Sequence, residues 1–188
     1  MTYLLGTDIG TSSVKTVLLE VKSGRALVDV TREYPISQPR PGWAEQNPDD
    51  WWNAAVATIR EAIARTNIDP NAVRAISLCG QMHGFVPVDK NSHPLHPAII
   101  WADTRSSPQV DALNTRVPLA EMARYAPGPP AAGFMGPTLM WLAEHQPDLL
   151  AQTAAVLLPK DYVRLRMTDA VCTEPSDAAA TWLFDVKT

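Results

Sequence analysis

The chain has 188 residues, 46% hydrophobic and 19% charged, with a net charge of −4. That length supports one domain with a real core, and the composition excludes a disordered class. The acidic balance, without a basic run, argues against a nucleic-acid partner. No apolar run approaches the ~20 residues of a membrane-spanning helix.

Thr2 to Ile9 is apolar and ends in Asp-Ile-Gly, which predicts a strand entering a tight turn. The N-terminus lacks a basic region and Asp8 interrupts the apolar stretch, so no secretory signal is read and a cytoplasmic location is expected. Val14 to Glu20 predicts the return strand and Ala26 to Tyr34 a third, which together make an antiparallel meander. Asn47-Pro-Asp-Asp50 has a capping residue, a proline at the first helical position and acids in the first turn, so a helix begins there. Trp52, Val56, Ile59 and Ile63 follow at helical spacing and predict its buried face.

Val73 to Cys79 reads as an apolar strand, which puts the Cys79 thiol in the interior. Short strands are predicted at Phe85–Val88 and Ala98–Trp101, then helices at Gln109–Arg116, Leu119–Tyr125 and Pro137–His145, with a proline loop at 127–130. A strand at Val156–Leu158, a helix at Tyr162–Met167 and a strand at Trp182–Val186 complete the chain. Cys79 and Cys172 stand alone, which gives neither a metal motif nor a disulfide framework and fits a reduced compartment. His93 and His96 each precede a proline or sit beside one in a turn, so they are rejected as a metal pair.

Three stretches carry chemistry. Asp8-Ile-Gly-Thr-Ser-Ser13 lies between two strands, where Gly10, Thr11, Ser12 and Ser13 can point backbone N–H groups and hydroxyls at a phosphate. Asp8 can hold Mg²⁺, and Lys15 adds positive potential. A plain hairpin turn satisfies the same pattern. Gly80-Gln-Met-His-Gly84 follows a strand end, where open α/β sheets bind ligands, and Gln81 and His83 can bond a polyol. A structural histidine is the alternative. Trp101-Ala-Asp-Thr-Arg105 offers an aromatic face for a sugar, with Asp103 and Arg105 to reach its hydroxyls, or else a core tryptophan beside an ion pair.

Taken together, Gly6–Lys15, Trp43-Ala-Glu-Gln46 before Trp51-Trp52, Gly80–Gly84, Ala98–Arg105, Ala132-Gly-Phe134 and Leu157–Tyr162 resemble the N-terminal half of the FGGY carbohydrate kinases. Gln-Met-His-Gly and Leu-Pro-Lys-Asp-Tyr are those of the pentulose, D-xylulose-phosphorylating branch. The resemblance implies an α/β fold of the ribonuclease-H-like type shared with actin, hexokinase and heat-shock chaperones. Its mixed sheet would have antiparallel first strands and a catalytic cleft between two such domains. It further implies ATP, Mg²⁺, and γ-phosphoryl transfer to a terminal hydroxyl of D-xylulose. Asp8 matches the family's metal- and phosphate-side aspartate, Met82 and His83 its sugar-contacting pair, and Trp101 and Phe134 the walls of the sugar site.

Two positions depart from the family: Met135 stands where Ser or Thr is usual, and Thr138 where Lys is usual. The family's catalytic base lies in a Gly-Gly-Asp-Asn-type loop that has no match in this chain. Residues 1–188 are therefore expected to form an N-terminal kinase domain short of its last strand and helix, without the C-terminal nucleotide-binding domain. Such a unit should be inactive by itself, with an exposed apolar face and a tendency to form homo-oligomers. A kinase for ribulose, glycerol or fuculose, or a non-catalytic sugar-binding module, are the alternatives. Met82-His83 favours xylulose over glycerol.

Overall fold

The computed structural model describes residues 1–126 and 128–185. Strands β1 (Tyr3–Ile9), β2 (Ser13–Glu20) and β3 (Arg25–Glu33) form the expected antiparallel meander. β4 (Glu45–Gln46) stands apart, and helix α1 (Pro48–Thr66) leads to β5 (Val73–Gly80), which lies parallel to β1. The central sheet runs β3-β2-β1-β5. Alternation along β1 turns Tyr3, Leu5, Thr7 and Ile9 inward and leaves Gly6 and Asp8 exposed. The register sets Asp8 opposite Lys15 on one side and Cys79 on the other.

α1 starts where the sequence predicts it, with the Asn47 side chain accepting from the Asp49 N–H at 3.1 Å. Its inner stripe differs from the expected one. Trp51, Ala54, Ala55, Thr58 and Ala62 are buried, while Trp52, Val56, Ile59 and Ile63 are half-buried flanks. Small residues let the helix approach the sheet closely. There Thr58 meets Thr16 at 2.8 Å, and Thr16 meets Thr7 at 3.0 Å, in a buried hydroxyl chain. A pattern of large apolar residues cannot reveal a face made of alanine and threonine.

A second layer closes one end of the sheet. β6 (Val86–Val88) and β7 (Ala98–Ile99) precede α2 (Ser107–Arg116), α3 (Leu119–Met122), α4 (Met135–His145) and α5 (Pro147–Gln152). β8 (Ala155–Leu157), α6 (Pro159–Thr168) and α7 (Pro175–Ala178) follow. β7 pairs antiparallel with β4, and β8 with β6. Phe85, Ile99, Met135, Trp141, Leu142 and Leu158 form the core of this layer. α6 packs on α1, where Tyr162 donates to Asp49 at 2.8 Å.

Three further expectations need correction. Cys79 is exposed, as are Ala75 and Ser77 on the same face, because no described helix covers that face of the sheet, where Gly6 and Asp8 of β1 are exposed as well. The helix at Leu119 ends at Met122. The next residues tighten into i→i+3 bonds, Arg124 to Glu121 and Tyr125 to Met122, both at 3.0 Å. The segment from Trp182 is not a strand among its described residues. Trp182 has φ 65° at the end of a short 3-10 turn over Ala179–Thr181, and the Thr181 hydroxyl accepts from the Leu183 N–H at 3.1 Å. Val186, and Pro127 of the expected loop, lie outside the described residues.

Candidate functional site

The β1–β2 turn is closed by the Gly10 N–H donating to the Ser13 carbonyl at 3.0 Å. A Cβ on Gly10 would stand 3.0 Å from that same oxygen, so closure favours glycine. The turn is tied down from several sides. The Tyr34 hydroxyl donates to the Gly10 carbonyl at 2.5 Å, and the Trp101 indole N–H donates to the Thr11 hydroxyl at 2.9 Å. Burial, reinforced by the nearby Asp8 charge, pushes the Tyr34 phenol well up. Partial desolvation, the Asp8 charge and a side-chain hydrogen bond with Asp8 raise the Cys79 thiol. Lys15 lies across from Asp8, and its ammonium pairs with Asp29 at 3.2 Å on the exposed sheet face.

The Gly80–Gly84 loop leaves the end of β5 directly beside this turn. The Gln81 N–H donates to the Ile9 carbonyl at 2.7 Å. A Cβ on Gly80 would come within 2.8 Å of that carbonyl, which a side chain cannot do without displacing the strand. His83 adopts φ 56°, a left-handed conformation uncommon for a non-glycine residue and typical of functional turns. Its ring stacks on Phe134, with centroids 3.8 Å apart and planes 22° apart. Phe134 is delivered by the preceding Gly133, whose positive φ lets the loop sit on the Trp101 backbone where a Cβ would clash.

Gln81 and His83 are buried, at 7% and 8% exposure, yet Gln81 Oε1 and His83 Nδ1 have no hydrogen-bond partner among the described residues. Buried polar atoms are nearly always paired; six others, on Arg105, Gln109, Thr138, Asp161 and Arg164, are also without a hydrogen-bond partner among the described residues, and the Gln81 and His83 atoms differ in lying two positions apart in one strand-end loop. Met82 and Trp101 stand beside them at 60% and 46% exposure, large apolar side chains held at the surface. Burial pushes His83 below the ordinary imidazole value of 6.5, and the Asp177 charge offsets this in part.

Asp103 and Arg105 have a different setting. Asp103 accepts from the Ala44 N–H at 2.6 Å and from Arg105 through its backbone N–H, Nε and Nη2 at 2.8–2.9 Å. Arg105 Nη2 also donates to Glu45 at 2.6 Å, and the guanidinium lies 3.6 Å over the Trp43 ring. Both side chains are 1% exposed. They hold the Trp43–Gln46 segment rather than offering free groups to a ligand; within this cluster only Arg105 Nη1 is left without a partner among the described residues.

Two further groups escaped the sequence reading as site residues. Gln46, 2% exposed, bonds both the turn and the Gln81 side chain. Lys160 packs its stem against Gly80 and its ammonium against Asp161, Asp177 and Glu174 at 2.9, 3.2 and 3.5 Å. Pro159 abuts Gly84 in the same way, so the start of α6 braces the loop. The signal was present, because both residues fall in stretches that carry the family resemblance.

For Mg²⁺, the donor set is Asp8 with the hydroxyls of the turn. No group of three or more His, Cys, Asp or Glu occurs among the described residues. Asp8 could supply one carboxylate to a Mg²⁺ ion, which usually takes its other ligands from waters and substrate phosphates.

The sheet order, the glycine turn and the Gly80–Gly84 loop at the end of β5 are those of a ribonuclease-H-like sugar-kinase domain. The chain belongs to the FGGY family of carbohydrate kinases, and residues 3–188 match that family's N-terminal domain. It is 38% identical to a xylulose kinase of Bacillus subtilis, a match covering 99% of this chain and 37% of the relative. A Brucella ovis xyloylose kinase structure superposes with a TM-score of 0.90 at 34% identity, over 97% of this chain and 38% of that one. A Lactobacillus acidophilus gluconate kinase superposes at 0.92 with 27% identity, over 100% and 38%. The chain thus spans a little over a third of these relatives' length. Among the described residues no helix is long and apolar enough to cross a membrane.

Proposed function

We propose that this chain is the sugar-binding part of a D-xylulose kinase that uses MgATP. The observation that carries the reading is the pair of orphaned buried atoms, Gln81 Oε1 and His83 Nδ1, beside exposed Met82 and Trp101. A ketose offers what each needs. Its hydroxyls satisfy the two polar atoms, and its C–H face covers the apolar ones. Phe134 locks the His83 ring plane, so the hydrogen bond direction is set before the sugar arrives. Asp103 and Arg105 act behind the site, by fixing the segment on which Gln46 sits.

MgATP supplies the phosphoryl group when bound. Toward it the chain presents the Asp8 carboxylate as metal ligand and the Gly10–Ser13 turn as phosphate cradle, with Lys15 as distant positive charge. His83, whose basicity burial lowers, orients the sugar as a hydrogen-bond partner. None of the residues gathered here is a free carboxylate set against the sugar side, so the group that deprotonates the attacking hydroxyl is placed outside them. A positioned base contributes ~10²–10⁴-fold; the 188 residues alone should therefore bind sugar without turnover.

Calorimetric titration with D-xylulose, D-ribulose, glycerol and gluconate, run beside a coupled assay for ADP release, tests this. Saturable D-xylulose binding with background ADP release is expected. Binding of glycerol or gluconate in preference to D-xylulose would overturn the substrate assignment, and rapid ADP release would overturn the placement of the base.

A further inference from the structure

Gln46 is not a ligand-facing residue, yet its amide joins the two halves of the site. Nε2 donates to the Thr11 carbonyl in the phosphate turn at 2.8 Å, with a longer contact to the Pro35 carbonyl at 3.4 Å. Oε1 accepts from Gln81 Nε2 in the sugar loop at 2.9 Å and from the Trp51 indole at 3.3 Å. Every donor and acceptor of the amide is engaged, each in its only workable direction. Trp51 is fully buried on α1, and the backbone of Gln46 is held in β4 opposite Ala98. The amide is therefore fixed from behind while it grips two loops in front.

We infer that Gln46 is a positioning residue that couples the sugar loop to the phosphate turn, so that occupancy of one subsite is felt at the other. This rests on the functional reading above. Gln81 is the relay: its Oε1 is buried without a partner among the described residues, while its Nε2 is committed to Gln46. A hydroxyl that bonds Oε1 fixes the Gln81 amide plane, and with it the bond to Gln46 and the Thr11 carbonyl beyond. A second, separate tie runs from Trp101 to the Thr11 hydroxyl. The turn is thus held at both its backbone and its side chain by residues on the sugar side. Only an amide meets all the demands at position 46. A carboxylate keeps the acceptor for Gln81 and Trp51 but has no proton for Thr11, and a hydrocarbon keeps nothing.

The selective variant is Gln46→Glu, which removes the donor to the Thr11 and Pro35 carbonyls and keeps the acceptor for Gln81 and Trp51. Gln46→Met, neutral and similar in shape, controls for the added charge. Site-resolved amide hydrogen exchange on the 188-residue protein reads the outcome without a ligand. In Gln46→Glu the Gly10–Ser13 and Gln81–Gly84 amides should both lose protection, up to about tenfold for one net hydrogen bond, while Leu5 and Leu18 in the sheet stay unchanged. A role in general stability would instead lower protection everywhere. With D-xylulose added, the wild type should gain protection in both segments and Gln46→Glu only at the loop.

Loosening of the turn alone, or sugar-induced protection of the turn that survives in Gln46→Glu, would overturn the coupling. Failure of the wild type to respond to any sugar would overturn the functional reading instead, and the ligand-free comparison would still decide the role of Gln46. Should Gln46→Glu alone loosen both segments and Gln46→Met neither, repulsion by the new charge is the cause and the inference fails.

Discussion

Two buried polar clusters lie on either side of the Trp43–Gln46 segment, and they differ in one respect. Around Asp103 the protein supplies almost every partner: one carboxylate takes a backbone N–H from Ala44 and the fork of Arg105, which also reaches Glu45. Around Gln81 and His83 it stops short and leaves an acceptor and a ring nitrogen unmatched at similar depth. A filled cluster fixes shape, whereas an unfilled one keeps capacity for something from outside. Burial alone does not separate the two roles; saturation of hydrogen bonds does.

The largest expected effect tests the filled cluster. Arg105→Met strands the Asp103 and Glu45 carboxylates in the interior, which typically costs ~3–5 kcal/mol. Urea unfolding should show that loss in the midpoint. Next comes the unfilled cluster. His83→Ala should weaken D-xylulose binding by about 5- to 150-fold, the ~1–3 kcal/mol of an unmet buried partner, with a much smaller change in the urea midpoint. If the Arg105 variant kept its stability while the His83 variant lost it, the two assignments would have to be exchanged.

Acid sharpens the comparison further. Burial lowers the His83 value from its ordinary 6.5, so between the two values the native state holds fewer protons than the unfolded chain. The stability linked to His83 is therefore fully present above 6.5 and is lost as pH falls through the lower folded value. Sugar binding should fade over the same range, because the protonated ring presents no acceptor. A proton NMR titration of the His83 ring checks the order of the values. The smallest effect concerns the turn. Thr11→Val removes the acceptor of the Trp101 indole and should cost ~0.5–1.5 kcal/mol, visible as a changed indole N–H resonance of Trp101.

Much of this was legible in the sequence because it is local. The hairpin around Asp8, the Asn47 cap and a strand from Val73 follow from turn chemistry, capping and apolar runs over a few residues. The inward face of α1 was misread because close helix–sheet packing uses Ala54, Ala55 and Thr58, which carry no hydrophobic signal. The exposure of Cys79 was misread because an apolar run does not show which face of the sheet is left uncovered. In the site, residue types named Gln81, His83 and Trp101. Which polar residues would be consumed by neighbours is a tertiary fact: Asp103 and Arg105 have the chemistry of ligand contacts but meet Ala44, Glu45 and Trp43 first. The importance of Gln46 is tertiary for the same reason, since its partners Thr11 and Gln81 each lie 35 positions away.

The central claim is that Gln81 and His83 are left unpaired in order to bind a sugar. Calorimetric titration of D-xylulose into the wild type and His83→Ala near neutral pH, with both proteins shown to be equally folded by circular dichroism, tests it most directly. A saturable isotherm in the wild type that weakens or vanishes in His83→Ala is the predicted result. Equal affinity in the two proteins, or no binding by the folded wild type, would contradict it.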